Sequence, residues 1–508
     1  MAVVAVSGAL MVAGTTSDAG KSVLTAGLCR WLSRQGVRVA PFKAQNMALN
    51  SMVTADGGEI GRAQAMQAAA ARVAPEAGMN PVLLKPGGDR HSHVVVLGRP
   101  HADVDALSYR DHKLALLDVA VEALAALRRR FDVVVCEGAG SPAEVNLRDR
   151  DIANLGLARA ADLPVLVVGD IDRGGVLAHF VGTLAVLDAA DQRHIAGFVV
   201  NKFRGDRRVL DPGLEWVRQA TGRDCFGVLP WQTGLWLDVE DSLDLNTRPN
   251  QLVPPAGRDV LRVAVVRLPR MSNVTDVDAL AAEPGVSVNL VSTPAELAEA
   301  DLVVLPGTRS TVADLAWMRE RGLDLALSRR AAQHRSVLGV CGGLQMLGHT
   351  IDDDVESRAG TVAGLGLLPV RTHFGAAKML ALTSGTWCGN DVTGYQIHHG
   401  RVSVEGGEPF LDGCRVGAVF GTTWHGIFEQ DAFRRAFLAR VAADSGRAWV
   451  AGTVSFAARR EARLDQLGDL VEKHLDTDAL WRLIEGGVPS GLPTLRLSST
   501  AVPEVVSP

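Results

Sequence analysis

The chain has 508 residues, too many for one hydrophobic core, so two or three domains are expected. Hydrophobic residues make up 47% and aromatics only 5%, so the apolar content is mostly Ala, Val and Leu, which suits α/β layers better than a β-sandwich. A formal net charge of −5 gives no footprint for nucleic acid, and six scattered cysteines without a Cys-x-x-Cys pair indicate neither a disulfide framework nor a zinc ribbon but fit a reducing cytoplasm.

The apolar start has no basic segment before it and runs directly into a glycine-bearing loop, so residues 3–12 are predicted as the first strand and not as a leader. No other apolar run is long enough to span a membrane. The next segment is Gly14-Thr-Thr-Ser-Asp-Ala-Gly-Lys-Ser22, followed by a helical pattern over 22–35. A strand, a loop and a helix in that order make a phosphate cradle. Thr15, Thr16, Asp18, Ala19 and Gly20 would line it, Lys21 would reach the β/γ oxygens of ATP, and the Ser22 hydroxyl would bind Mg²⁺. Five residues separate Gly14 from Gly20, one more than is usual. The bland alternative is an ordinary Gly-containing turn.

Further short apolar runs at 37–41, 131–136, 163–169 and 195–201, with a helical pattern over 111–130, predict a doubly wound parallel sheet with ligands at the carboxyl ends of its strands. Glu137 follows one run, where a carboxylate can hold Mg²⁺; a solvated loop acid is the alternative. Asn201 ends another, where a nucleobase often sits. The position two after Lys202 is Arg204 and not the Asp that pairs with guanine, so adenine is the expected base.

Residues 1–249 thus form one domain and 250–259 a linker. Residues 260–443 form a second α/β domain, with strands predicted at 262–267, 286–290, 302–305, 337–340 and 416–420. A helical extension spans 444–485, and 486–508 is expected to be disordered. Within the second domain, Ser336-Val-Leu-Gly-Val-Cys-Gly-Gly-Leu-Gln-Met-Leu-Gly348 reads as strand, sharp turn and helix. It is the thiol counterpart of a nucleophile elbow, with Cys341 at its apex. A reactive thiol needs a base and an oxyanion hole. Candidate bases are His373, His398, His399 and His425, of which His425 follows a predicted strand late in the domain. Backbone N–H groups of Gly342 and of the Leu305-Pro-Gly307-Thr308 loop are the candidate oxyanion donors. His398 and His399 are neighbours, expected to divide into one structural and one substrate-side residue. A buried, inert Cys341 is the alternative.

These segments, with Phe42-Lys-Ala-Gln-Asn-Met47, Gly58-Glu-Ile-Gly-Arg-Ala-Gln64, Asn80-Pro-Val-Leu-Leu-Lys-Pro86, Glu137-Gly-Ala-Gly-Ser-Pro-Ala-Glu144, Asn146-Leu-Arg-Asp-Arg-Asp151, Asp170-Ile-Asp-Arg-Gly-Gly175 and Asn201-Lys-Phe-Arg-Gly-Asp206, resemble the cobyric acid synthase family. One half is similar to dethiobiotin-synthetase-like ATP enzymes, the other to class I glutamine amidotransferases. The resemblance implies Cys341 as nucleophile and His425 as its base, with ATP and Mg²⁺ as cofactors and a corrinoid and glutamine as substrates. No nucleic acid or membrane partner is implied, and the oligomeric state stays open. It implies amidation of the b, d, e and g carboxylates of adenosylcobyrinic acid a,c-diamide through acyl phosphates. Lys43, Gln45 and Asn46 could then reach the γ-phosphate or the substrate carboxylate, and Asp149 and Asp151 the corrinoid. Two positions depart from related amidotransferases: Ile427 stands where a triad Glu is usual, and Gln396 where many relatives have Glu. The rival readings are the a,c-diamide synthase of the same pathway and a partitioning-type nucleotide switch with a non-catalytic thiol domain.

Overall fold

A computed structural model describes residues 8–86, 91–105, 108–232, 253–453 and 455–496. The first domain is built on six parallel strands, in the order Asp224–Pro230, Ile195–Phe203, Val165–Asp170, Gly8–Gly14, Val133–Glu137 and Val39–Phe42. The inner strands are apolar throughout because helices cover both faces of the sheet; Leu10, Met11 and Val12 are fully buried. The chain crosses from one side of Gly8–Gly14 to the other between Val133–Glu137 and Val165–Asp170. That reversal opens the crevice in which a doubly wound sheet takes its ligand. Residues 3–7 of the predicted first strand and 250–252 of the predicted linker lie outside the described residues.

The second domain has a seven-stranded sheet, in the order Val286–Val291, Leu261–Val266, Leu302–Leu305, Ser336–Val340, Val419–Thr422, Gly413–Val416 and Glu408–Phe410. Its first five strands are parallel and its last two antiparallel. The single strand expected at 416–420 is therefore two. Gly417, with φ of 58°, turns the chain back, and only Val419–Thr422 continues the parallel sheet.

Three further sheets among the described residues were not anticipated, one of them the two-stranded pair Ser51–Val53 and Glu59–Gly61. Gln45–Met47, Val82–Pro86, His91–Val96 and Arg99–Asp105 make one in the first domain. In the second domain, the hairpin Val370–Trp387/Asn390–Val404 joins Thr350–Asp353 and Gly360–Ala363 in another.

The extension is helical, as expected, but where it packs was not anticipated. Helix Phe456–His474 leaves the second domain and lies along Lys21–Arg34 in the first. Leu464, Leu467, Leu470 and Val471 share a core with Leu24, Leu28 and Trp31, and Thr477–Gly486 adds Leu480, Leu483 and Ile484. Glu461, Asp465 and Asp469 follow one another at helical spacing and meet buried Arg30 and half-buried Arg34, with Asp465 2.9 Å and Asp469 2.7 Å from Arg34. The residues expected as a disordered tail are bonded to the first domain as far as Leu495. Leu495 N donates to Gln192 Oε1 at 2.8 Å, and Gln192 Nε2 donates to Leu495 O at 2.9 Å. Residues 497–508 lie outside the described residues.

Candidate active sites

The carboxyl ends of the first sheet gather the phosphate-loop residues. Gly20 holds φ of 105°, and a Cβ there would fall 1.9 Å from Asn201 Nδ2, so only glycine lets the loop close on that side chain. Asn201 itself donates to the Ala19 carbonyl at 2.9 Å. It shapes the cradle, which accounts for its position without a base contact. Thr15 N donates to Val168 O at 2.9 Å, while Thr15 Oγ1 is buried without a protein partner. Thr16 and Asp18 lie on the solvent side of the loop, Asp18 with φ of 57°. Lys21 Nζ donates to Thr16 O at 3.1 Å and Gly140 O at 3.0 Å, which ties the cradle to the loop after Glu137.

Glu137 is buried and charged, not a solvated loop acid. Ser22 Oγ and Lys43 Nζ each donate to its Oε1 at 2.9 Å, and Gln67 Nε2 donates to its Oε2. Burial alone would raise its pKa, but Lys43, Gln67 and Lys21 reverse that and hold the carboxyl below its ordinary range. Ser22 and Glu137 offer two hard oxygen donors side by side. Mg²⁺ commonly takes one or two such protein ligands together with phosphate oxygens, so these residues fit it.

Asn46 points inward and donates to Gln64 Oε1 at 2.8 Å, while Gln45 is half-buried on the same short strand. Asp149 is exposed. Asp151 accepts from the backbone N–H groups of Ala153, Asn154 and Gly156 at 2.9, 2.8 and 3.0 Å. Both its oxygens are engaged in starting helix Leu155–Ala161, so its carboxylate does structural work at the edge of an open depression shared with Asp149.

In the second domain, Cys341 has φ of 52° and ψ of −109°, an uncommon conformation for a residue with a Cβ. The elbow is locked from behind. Cys341 N donates to Thr422 O at 2.8 Å, and a Cβ on Gly343 would stand 2.0 Å from Leu305 O, so the helix after the thiol can pass only as glycine. Gly307 packs against His425, and Gly342, next to the thiol, packs against Thr308. A Cβ on Gly307 would lie 2.9 Å from His425 Cε1, and one on Gly342 would lie 3.2 Å from Thr308 N.

His425 is buried against Cys341, and Asp276 completes the arrangement. His425 Nδ1 lies 2.7 Å from Asp276 Oδ2, and Gly426 N donates to Asp276 Oδ1 at 2.8 Å. Burial alone would lower the imidazole pKa; Asp276 and then Cys341 outweigh it and raise it to about 10. Ile427, at the usual place of the acid, is buried apolar core. Asp276 sits in the short turn Val274–Val277, far upstream in sequence, where no motif marks it. Gln396 has a bracing role. Its Nε2 donates to Asp412 Oδ2 at 2.9 Å and to Thr423 Oγ1 at 2.7 Å, which holds the strand leading to His425.

The other histidines separate clearly. His373 is exposed. His398 and His399 both line the pocket at Cys341. Each uses Nδ1 on a carbonyl, Gly400 at 2.8 Å and Gly375 at 3.2 Å, and burial lowers both pKa values, His398 to about 4. They are neutral at pH 7.

The two domains touch beside this pocket. Ser51 N donates to Asn273 Oδ1 at 3.1 Å and Val274 N to Asn50 Oδ1 at 3.2 Å, immediately before Asp276. Val53 packs on Tyr395 and Ile397, and the Tyr395 ring stacks on His425 with centroids 5.5 Å apart. Among the described residues no helix is long and apolar enough to cross a membrane.

Comparison with known proteins matches residues 10–244 to the CobQ/CobB/MinD/ParA nucleotide binding domain and residues 262–433 to the CobB/CobQ-like glutamine amidotransferase domain. The cobyric acid synthase of Frankia casuarinae is 63% identical, over 96% of this chain and 98% of its own length. That of Streptomyces avermitilis is also 63% identical, over 96% and 98%. That of Streptomyces coelicolor is 62% identical, over 96% and 98%.

Proposed function

The chain belongs to the cobyric acid synthase family, and on that premise we propose a division of labour between its two sites. It is a glutamine-dependent amide synthase of cobalamin biosynthesis. Identity of this order along nearly the whole chain favours cobyric acid synthesis over the a,c-diamide reaction and over a nucleotide switch.

At the thiol site, Cys341 Sγ attacks the side-chain amide carbon of glutamine. The oxyanion that forms faces the N–H groups at Gly307 and Gly342. His425, oriented by Asp276, takes the thiol proton and delivers it to the departing ammonia; water then releases glutamate from the thioester. At the phosphate loop the substrate is ATP. Lys21 and the loop N–H groups draw charge from the γ-phosphoryl group as it passes to a corrinoid carboxylate. Mg²⁺, held by Ser22 and Glu137, would add charge neutralisation. A carboxylate resists ammonia because oxide or hydroxide leaves poorly; the acyl phosphate supplies a good leaving group, and ammonia displaces phosphate to give the amide. The substrate carboxylates are those at b, d, e and g, and Lys43, beside Glu137, and half-buried Gln45 are the side chains we assign to meet them. A cytoplasmic setting accords with six cysteines that are all free.

The observation that carries this reading is the Cys341–His425–Asp276 constellation on the same chain as a lysine-bearing phosphate loop. The test is mass spectrometry of cobyrinic acid a,c-diamide incubated with ATP, Mg²⁺ and glutamine. Four successive exchanges of OH for NH₂ are expected. If the a,c-diamide is untouched and unamidated cobyrinic acid is converted, the pathway rival is correct.

A further inference from the structure

The pocket in front of Cys341 is not made by the amidotransferase domain alone. Leu49 and Lys85 of the first domain form part of its wall. Lys85 lies on strand Val82–Pro86 and is 6% exposed; Lys378, on the long hairpin of the second domain, is 9% exposed. Both ammonium groups share one carboxylate, Glu59, which is fully buried; Lys378 Nζ is 2.6 Å from its Oε2, and Lys85 also donates to Ser51 Oγ at 2.9 Å.

Among the described residues the charges at this wall do not cancel. Lys85, Lys378 and Arg309 are three cations, while Glu59 and the Arg309 partner Glu356 are two carboxylates. His398 and His399 add no charge, since burial keeps them neutral. Desolvation, opposed by Glu59 and reinforced by Lys378, lowers the Lys85 pKa to about 8. A buried excess of one positive charge is costly unless an anion completes it. Two polar atoms on the same wall, Arg309 Nε and His398 Nε2, are also buried without a protein partner. The wall is therefore set for a small ligand with an anionic group and further hydrogen-bonding capacity.

We infer that Lys85 and Lys378, one from each domain, receive the α-carboxylate of glutamine, so that the glutamine site is complete only when the two domains are joined. The inference rests on the reading of Cys341 as glutamine's nucleophile. The geometry of the substrate agrees with it, because the α-carboxylate is four bonds from the carbon that the thiol attacks. Both lysines belong to the wall of a pocket that also contains Cys341. The strand carrying Lys85 is paired, through Leu84 and Met47, to the segment that follows Lys43, which holds Glu137 at the phosphate site. Glutamine binding is thereby built on the same short sheet that serves phosphoryl transfer.

The experiment compares glutamine with 4-aminobutanamide, the same amide with hydrogen in place of the α-carboxylate. Full-length protein is used and ammonia release is measured. Charge-assisted contacts of this kind predict that the wild type favours glutamine in kcat/KM on the order of a hundredfold. Lys85→Met and Lys378→Met should each lower the value for glutamine about tenfold or more, mainly through KM, and leave that for the analogue where it was. Lys85→Arg should keep most of the preference. Equal handling of the two amides by the wild type overturns the inference without any variant, which covers the case in which the Met variants do not fold. An unchanged preference in folded Lys85→Met also overturns it. A wild type that releases no ammonia from glutamine at all defeats the reading of Cys341 instead.

Discussion

Asp276 gives His425 both its orientation and its charge. Asp276→Asn keeps the shape but withdraws the charge, so glutamine-dependent amidation should fall by roughly a hundredfold or more while amidation from ammonium salts persists. Loss of both activities in a folded variant would place Asp276 outside the thiol site. The sign of the pH dependence follows from the raised imidazole value. Stabilisation by the pair is full below the ordinary histidine pKa of about 6.5 and is lost as pH rises through about 10. The gap in unfolding temperature between wild type and Asp276→Asn should therefore be widest near pH 6 and close toward pH 10. Lys21→Ala should abolish amidation from either nitrogen source, on the order of a thousandfold, whereas Cys341→Ala should lose only the glutamine route. Substituting Glu137 carries a hazard that the sequence hid. Glu137→Ala strands Lys43 in the interior and should destabilise the fold by about 3–5 kcal/mol, so a loss of Mg²⁺ dependence is better sought in Glu137→Gln, scored against the denaturation midpoint. Cys341, Lys21 and Ser22 were legible because each sits beside glycines at a strand-to-helix turn. Asp276 was not, because 149 residues separate it from His425 and nothing local marks it as a partner.

Elements were legible where burial is uniform. Parallel strands covered on both faces read as unbroken apolar runs, and Leu302–Leu305 matches its expected bounds residue for residue. The hairpin Val370–Trp387/Asn390–Val404 was missed because it is half-exposed and carries His, Thr and Lys among its apolar residues. The strand expected at 416–420 failed for a different reason: Gly417 was read as part of a strand and is in fact its turn. Helix Phe456–His474 was recognised as amphipathic, yet sequence periodicity says nothing about which surface receives the apolar stripe. That surface is helix Lys21–Arg34, and its fit can be measured. Leu467 is buried between the two helices, so Leu467→Ala should cost about 2–5 kcal/mol in chemical denaturation of the first domain. A loss within error would mean that the helix is only laid against the surface.

For the whole molecule, the domain boundaries drawn along the sequence are not boundaries in space. The nucleotide-binding sheet begins near the amino end of the chain, but the layer over one of its faces, begun by helix Lys21–Arg34, is completed by residues beyond 460. A chain cut after Arg460 retains Trp449 and Phe456, which belong to the amidotransferase core, and loses Leu464 through Ile484. Such a chain should keep a folded second domain, resistant to limited proteolysis. It should expose Leu24, Leu28 and Trp31 and lose ammonia-dependent amidation. Retention of that activity would show that the extension is dispensable. During synthesis the order of events is inverted relative to the order of residues. Domains usually fold as they leave the ribosome, amino end first. Here the leading domain emerges early with an uncovered apolar helix, while the trailing domain assembles its sheet from contiguous chain. Only when the last helices are released can the first domain close, which makes its exposed face during translation a natural point of contact for chaperones and a hazard for nonsense mutations late in the message.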